Sequence, residues 1–266
     1  MADNEDAKDR VRSQYGAVGD AYVRSAGHAT GSDLERMVHL ADPKPSDVLL
    51  DLATGGGHVA RVFAPYVAKV IASDLTPGIL LHAEAYLAGL GLGHVTYLVA
   101  DAEDIPLPDE SCDIVTCRIA PHHFPDPARF VSEAARVLRP GGRFVLVDST
   151  VPEGSAGDFF NRFENLRDPS HVRSLTIAEW ETLIVDAGLT LAAVEAFRKR
   201  HDFEDWTTRS RVAPDTRTRL ERMVLEMLDA DPAIVAPFDI ERTDDGSNGL
   251  VGFSDTKTLF VATNQG

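Results

Sequence analysis

The sequence predicts an α/β protein, a doubly wound and mostly parallel sheet with helices on both faces. Three observations carry that reading. Between Val48 and Asp148, short apolar runs alternate with stretches of helical period. The first apolar run leads straight into a glycine turn, Gly55-Gly56-Gly57. The apolar fraction, 44% of 266 residues, is enough for a sizeable core. Strands separated by helices of this length require right-handed crossovers, which make neighbouring strands parallel.

The elements follow in order. The first 45 residues read as helical: Val11, Tyr15, Val18 and Tyr22 fall on one helix face. A glycine-containing break spans Gly27 to Gly31. Ser32 and Glu35 then form a capping-box pattern ahead of Leu34, Met37, Val38 and Ala41. Val48 to Leu52 is the first strand, and Val59, Val62, Phe63 and Tyr66 mark the helix after the turn. Lys69 to Ser73 is the second strand. Thr76 and Pro77 read as an N-cap and a first-turn proline, with Ile79, Leu80, Ala83 and Leu87 on one face. Val95 to Val99 and Cys112 to Cys117 are the third and fourth strands. Asp126-Pro127 start a helix through Leu138, Gly141-Gly142 stop it, and Arg143 to Asp148 is the fifth strand.

Beyond Asp148 the rhythm changes. Residues 150–175 are polar, and Thr176 with Glu179 caps a helix carrying Trp180, Leu183, Ile184 and Ala187. Leu189 to Phe197 and Thr258 to Ala262 read as two late strands. A helical insert, 204–237, lies between them with Leu220, Met223, Val224, Met227 and Leu228 at helical spacing. The expected organisation is an N-terminal helical lid over 1–45 and one ligand-binding domain over 46–266, with cap insertions at about 150–175 and 204–237.

Charge narrows the partners. With Lys plus Arg at 26 and Asp plus Glu at 42, the formal charge of −16 disfavours phosphate backbones and anionic membranes. It leads to the expectation of a small, uncharged or cationic partner. No apolar run reaches the roughly 20 residues of a membrane span, and Met1 to Arg10 is too acidic for a signal peptide. Cys112 and Cys117 lie about 16 Å apart in an extended strand, too far for a disulfide. Together these features suggest a cytoplasmic protein, monomeric or homodimeric.

The stretch Val48-Leu-Leu-Asp-Leu-Ala-Thr-Gly-Gly-Gly-His-Val-Ala60 is the most informative. Ligands bind at the carboxyl ends of parallel strands, and glycines let backbone approach them closely. Gly55-x-Gly57-x-x-Ala60, with Asp74 about 20 residues on, fits NAD or another adenosine ligand equally well. Asp51, at the end of the first strand, suits a cationic ammonium and repels a pyrophosphate. Asp101, at the end of the third, can accept from an adenine amine. Acids at three successive strand ends describe a ligand with an amino-acid head, a ribose diol and an adenine, which is S-adenosylmethionine.

Here the chain resembles the class I S-adenosylmethionine-dependent methyltransferases, and within them the ubiquinone/menaquinone-biosynthesis-like type 11 family. The matching segments are Asp51-Leu-Ala-Thr-Gly-Gly-Gly57, Ser73-Asp74, Asp101-Ala-Glu-Asp-Ile-Pro-Leu-Pro108, Cys112-Asp-Ile-Val115, His122-His-Phe-Pro-Asp126 and Arg136-Val-Leu-Arg-Pro-Gly-Gly142. The resemblance implies a Rossmann-like, seven-stranded sheet whose last strand is antiparallel. It also implies that S-adenosyl-L-methionine is the cofactor and S-adenosyl-L-homocysteine its product. Asp51, Ala53, Gly55 and Gly57 would face the methionine moiety, and Asp74 with Leu75 the ribose. Asp101 and Ala102 would meet the adenine, and Arg118 would lie beside the cofactor. Ala53 departs from the pattern, since many members have glycine there.

The acceptor side is less explicit. His123 and His171 are the candidate bases. Tyr15, Tyr22, His28, His122, Glu164, Arg167, Asp168 and Trp206 are the candidate acceptor contacts. They fall in or beside the segments where the strand–helix rhythm fails. His122, His123, Glu164, Asp168 and His171 are metal-ligand types, but their spacing follows no ligand pattern, and no metal is expected. The expected activity is methyl transfer to a small organic acceptor. The competing readings are an S-adenosylmethionine-binding lyase or cyclase and an NAD-dependent oxidoreductase.

Overall fold

The computed structural model describes residues 2–16, 31–243 and 249–266. A first helix, α1 (Ala2–Gly16), and a second, α2 (Ser32–Ala41), precede the sheet. Alternating elements then follow: β1 (Val48–Leu52), α3 (His58–Phe63), β2 (Lys69–Asp74), α4 (Pro77–Gly89), β3 (Val95–Val99), β4 (Cys112–Arg118), α5 (Pro127–Val137) and β5 (Leu138–Thr150). The second half carries α6 (Ser155–Arg167), α7 (Ile177–Asp186), β6 (Leu189–Asp202), α8 (Phe203–Arg209), α9 (Pro214–Ala230), α10 (Pro232–Val235), β7 (Glu241–Arg242) and β8 (Leu250–Asn264).

The strand order is β3-β2-β1-β4-β5-β8-β6. The pairs from β3 to β5 are parallel, and β8 runs antiparallel between β5 and β6. This is the expected seven-stranded sheet, extended by the two-residue β7 paired to β8. Its two faces bury separate cores. One packs Phe130, Val137 and Trp180 of α5 and α7 against Val115, Phe144 and Phe260. The other packs Leu34 and Met37 of α2 and Phe63 of α3 against Leu49, Val145 and Leu259. Burying each such side chain contributes roughly 1.5–3 kcal/mol.

Several local expectations change. Ser32 is the first residue of α2 rather than its cap: Gly31 occupies the cap position with no side-chain bond, and Asp33 is engaged by Arg118. Thr76 occupies its cap position without a side-chain bond, and its N–H donates to the Asp74 carboxylate. The helix before β5 ends at Val137, and the strand takes over at Leu138, ahead of the glycines. The capping box at Thr176 and Glu179 is formed in both directions. Cys112 and Cys117 are buried free thiols.

The largest change concerns 150–175. Residues 155–167 form a helix whose Phe159, Phe160 and Phe163 are buried. They join Phe203, Trp206, Leu220, Val224, Phe238 and Phe253 in a third core. Polar residues among the phenylalanines, exposed Arg162 and the internally bonded Asn161, mask the helical period in the sequence. The two expected insertions are thus one packed unit at the β5–β8–β6 end of the sheet.

Candidate active site

The loop after β1 is shaped by left-handed backbone. Ala53, Gly55 and Gly57 have φ of 50°, 53° and 79°. Glycine adopts this region freely, whereas alanine there is strained by about 1–2 kcal/mol. At Gly57 a Cβ would come within 3.0 Å of Leu87 Cδ1, so a side chain there would also press on α4. Thr54 N donates to Ser73 O at 2.8 Å and ties the loop to the end of β2. Below it, Asp51 is 1% exposed and accepts from the hydroxyls of Thr54 (2.6 Å) and Thr116 (2.9 Å). Burial pushes its carboxyl up to about 6 despite those bonds.

Asp74 closes β2. Its carboxylate accepts from Thr76 N at 2.9 Å and Gly55 N at 3.1 Å. Burial raises its pKa while these backbone bonds oppose the rise. At the end of β3, Asp101 accepts from Glu103 N at 2.9 Å and from Lys8 Nζ at 2.6 Å. Lys8 also meets Glu103 Oε2 at 2.7 Å, so α1 is pinned across the strand ends by two acids. Between these groups lies a cleft. Its floor is Ala53, Gly55, Asp74 and Leu75, and one end is Asp101 with Ala102. Ile119, His123 and Phe124 line it on the β4 side.

Three histidines cluster at that β4 side. The rings of His122 and His123 lie 4.3 Å apart, and His171 lies 5.5 Å from His122. His122 Nδ1 is 2.7 Å from Asp148 Oδ1. Burial holds His122 well below its ordinary value and pushes Asp148 up to about 7. Burial thus disfavours the charged form of both partners and favours a hydrogen bond over an ion pair. His123 Nδ1 lies 3.0 Å from the Ser170 carbonyl. A carbonyl can only accept, so Nδ1 carries the proton and Nε2 is the basic nitrogen. Ser170 Oγ donates to Asp168 Oδ1 at 2.5 Å. Although burial opposes it, His123 and the Ser170 hydroxyl hold Asp168 below the usual carboxylate range.

The chain is similar to known proteins. A family model for the methyltransferase domain matches residues 50–146. The uncharacterised methyltransferase YcgJ of Bacillus subtilis is 37% identical over 188 residues, which are 70% of this chain and 74% of YcgJ. The chain belongs to the type 11 family of class I S-adenosylmethionine-dependent methyltransferases. The crystal structure of YcgJ superposes with a TM-score of 0.82 at 30% identity, covering 88% of this chain and 98% of that one. The Bacillus halodurans C-125 protein BH2331 gives 0.82 at 41% identity, covering 89% and 100%. The malonyl-[acyl-carrier protein] O-methyltransferase of Serratia marcescens is 32% identical over 174 residues, 63% of this chain and 65% of its own length.

The cofactor of this methyltransferase is S-adenosylmethionine, and the residues present fit it. The left-handed loop brings backbone to the cleft floor with no side chain in the way. Asp74 supplies carboxylate oxygens at the end of β2, and Asp101 with Ala102 forms the far wall. Of the sequence-derived cofactor residues, Ala53, Gly55, Asp74, Leu75, Asp101 and Ala102 line the cleft. Asp51 and Gly57 stand behind it as loop supports. Arg118 does not line it: its guanidinium makes a two-pronged pair with Asp33 of α2, and both side chains are 5% exposed.

The acceptor-side residues divide. His123 lines the cleft. His171 does not. Its Nε2 is 3.0 Å from Asn161 Oδ1, and burial, with His122 beside it, lowers its pKa to about 3. That is too weak a base for the assigned role. His122, bonded to Asp148, orients the cluster from behind. Trp206 is 2% exposed in the third core, and Arg167 stacks on its ring at 4.5 Å while pairing with Glu164. Trp206 is thus a packing residue, and Glu164 and Arg167 are committed to each other. Asp168 bonds Ser170, whose carbonyl meets His123. Tyr22 and His28 lie outside the described residues, as does the side chain of Tyr15.

Sequence reading missed Lys8, Glu103 and Ile119. Ile119 has a φ of 52°, an outlier for a β-branched residue, and it sits where β4 ends against the cleft. Glu103 lay inside a quoted motif and could have been singled out. Nothing in the polar α1 segment marks Lys8.

Proposed function

We propose that this methyltransferase acts on a small organic acceptor held between the β4 side of the cleft and the cap, with His123 as the base when the acceptor must lose a proton. The observation that carries the reading is His123 itself. It is the one histidine of the described cluster that lines the cofactor cleft, and its protonated Nδ1 is fixed on Ser170. When bound, S-adenosylmethionine supplies a methyl group already activated on a sulfonium. The protein's own task is then alignment and exclusion of water. Asp74 orients the ribose, Asp101 with Ala102 the adenine, and the loop from Ala53 to Gly57 the amino-acid end.

In the same reading, residues 1–45 act as a lid and the segments at 150–175 and 204–237 as a cap. The Lys8 contacts to Asp101 and Glu103 support the lid. The shared aromatic core supports the cap. No helix among the described residues is long and apolar enough to cross a membrane, and we place the protein in the cytoplasm as a monomer or homodimer. The −16 charge supports an acceptor other than nucleic acid. The test is mass spectrometry of the acceptor that co-purifies, followed by turnover with it. Stoichiometric S-adenosylhomocysteine and a product heavier by one methylene unit are expected. Product without S-adenosylhomocysteine would point to lyase or cyclase chemistry instead.

A further inference from the structure

We propose that Lys8 reads the adenine of the cofactor. With Asp101 it forms a donor–acceptor pair for the exocyclic amine and a ring nitrogen beside it. This rests on the cofactor reading given above and deepens it by adding a residue of α1 to the site.

The fold fixes where the ammonium sits. On α1, Ala7 is buried, and Lys8 and Val11, three positions apart on one helix face, line the cleft together with Asp101 and Glu103. Lys8 Nζ lies 2.6 Å from Asp101 Oδ2 and 2.7 Å from Glu103 Oε2. Glu103 is itself held on several sides. Its side chain is 4% exposed, and its other carboxylate oxygen accepts from Asp126 N at 2.7 Å. Its backbone carbonyl accepts from Arg129 Nε at 2.6 Å. A buried, anchored acid thus positions Lys8 beside Asp101 on the cleft wall.

Donors and acceptors remain on both groups. An ammonium has three N–H groups, and the two acids take two of them. A carboxylate has about four acceptor sites. On Asp101, Glu103 N takes one at Oδ1 and Lys8 takes one at Oδ2. Both side chains line the cleft, so Lys8 offers a ligand a donor and Asp101 offers it an acceptor. Adenine carries the complement: an amine that donates, flanked by ring nitrogens that accept. Asn and Gln read its amine and N7 through an amide whose oxygen accepts and whose nitrogen donates. Bonds of about 1.23 and 1.33 Å put those two amide atoms roughly 2.3 Å apart. Asp101 Oδ2 and Lys8 Nζ, 2.6 Å apart, repeat that spacing with charged groups. Asp101 alone accepts from any amine. The pair also requires an acceptor next to the amine, and a base without one leaves an ammonium N–H unmatched in the cleft.

The test is calorimetric titration of the full chain with S-adenosylhomocysteine and with its 1-deaza and 7-deaza analogues, in which C–H replaces one ring nitrogen. In the parent, at least one analogue should bind about tenfold or more weakly than S-adenosylhomocysteine, as expected for a lost charge-assisted bond. Which analogue is penalised tells whether N1 or N7 meets Lys8. Lys8→Met keeps the apolar stem and removes the donor, so in that variant the penalty should fall to about threefold or less. A role confined to holding α1 in place would weaken all three ligands by one factor and leave their ratios as in the parent. No penalty for either analogue in the parent, or every penalty kept in Lys8→Met, overturns the assignment and leaves the cofactor site standing. The parent titrations need no variant, so they decide the matter even if a melting curve shows Lys8→Met to be unfolded. Failure of S-adenosylhomocysteine itself to bind the parent strikes the cofactor reading rather than the role of Lys8.

Discussion

Replacing Asp74 by Asn tests how the cleft holds the cofactor. The carboxylate is 8% exposed and already accepts from Thr76 N and Gly55 N. Its two oxygens have about four acceptor sites, so two remain for ribose hydroxyls. Charge-assisted bonds contribute about 1.5–3 kcal/mol each. Asn keeps one acceptor oxygen and turns an amide donor toward a backbone N–H. The expected loss of affinity for S-adenosylhomocysteine is therefore about 1.4–3 kcal/mol, roughly 10- to 150-fold. The unliganded protein should also lose about 1–3 kcal/mol of stability from the unmatched backbone donor. Calorimetric titration gives the first quantity and denaturant unfolding the second. Affinity unchanged within twofold, in a variant that remains folded, would refute the assignment of Asp74 to the ribose.

His123→Gln should lower turnover on the identified acceptor by about 10²–10⁴ if a proton must be removed, while His171→Gln should change it by less than about threefold; equal losses would contradict the division drawn between them. The Asp51 carboxyl, at about 6, must ionise to favour a cationic head group, so affinity for S-adenosylhomocysteine should rise as pH increases through 6, and Asp51→Asn should flatten that profile. Because the folded pKa of Asp148 is raised to about 7, its contribution to stability is full below the unfolded value of about 3.9 and is lost as pH rises through 7. Asp148→Asn should therefore gain stability relative to the parent between pH 4 and 8 in unfolding titrations, and a constant difference would count against this. Trp206→Ala should destabilise by about 3–5 kcal/mol as a core truncation; an unchanged melting temperature with altered acceptor KM would restore its substrate role.

The parallel half of the fold was legible because each strand there is a short apolar run bounded by turn residues. Val48–Leu52 and Val95–Val99 are seen with the bounds the pattern implies. Strand ends also fix where a parallel sheet binds ligands, so Asp74 and Asp101 could be placed from order alone. The cap was harder to read. In α6 the phenylalanines follow Asp158 and are interrupted by Asn161 and Arg162, and their burial depends on partners from α8 and β8 far along the chain. His171 shows a related difficulty: nothing local reveals that His122 and Asn161 will desolvate it and engage its ring. Arg118 likewise found an aspartate 85 positions away. Contacts of that range decide whether a polar side chain in a motif meets ligand or protein.

A crystal structure with S-adenosylhomocysteine would test the central claim most directly. The account predicts density along the cleft, with the ribose hydroxyls on Asp74, the adenine against Asp101 and Ala102, and the sulfur toward His123. Density elsewhere, or a sulfur pointing away from His123 toward Lys8, would contradict it.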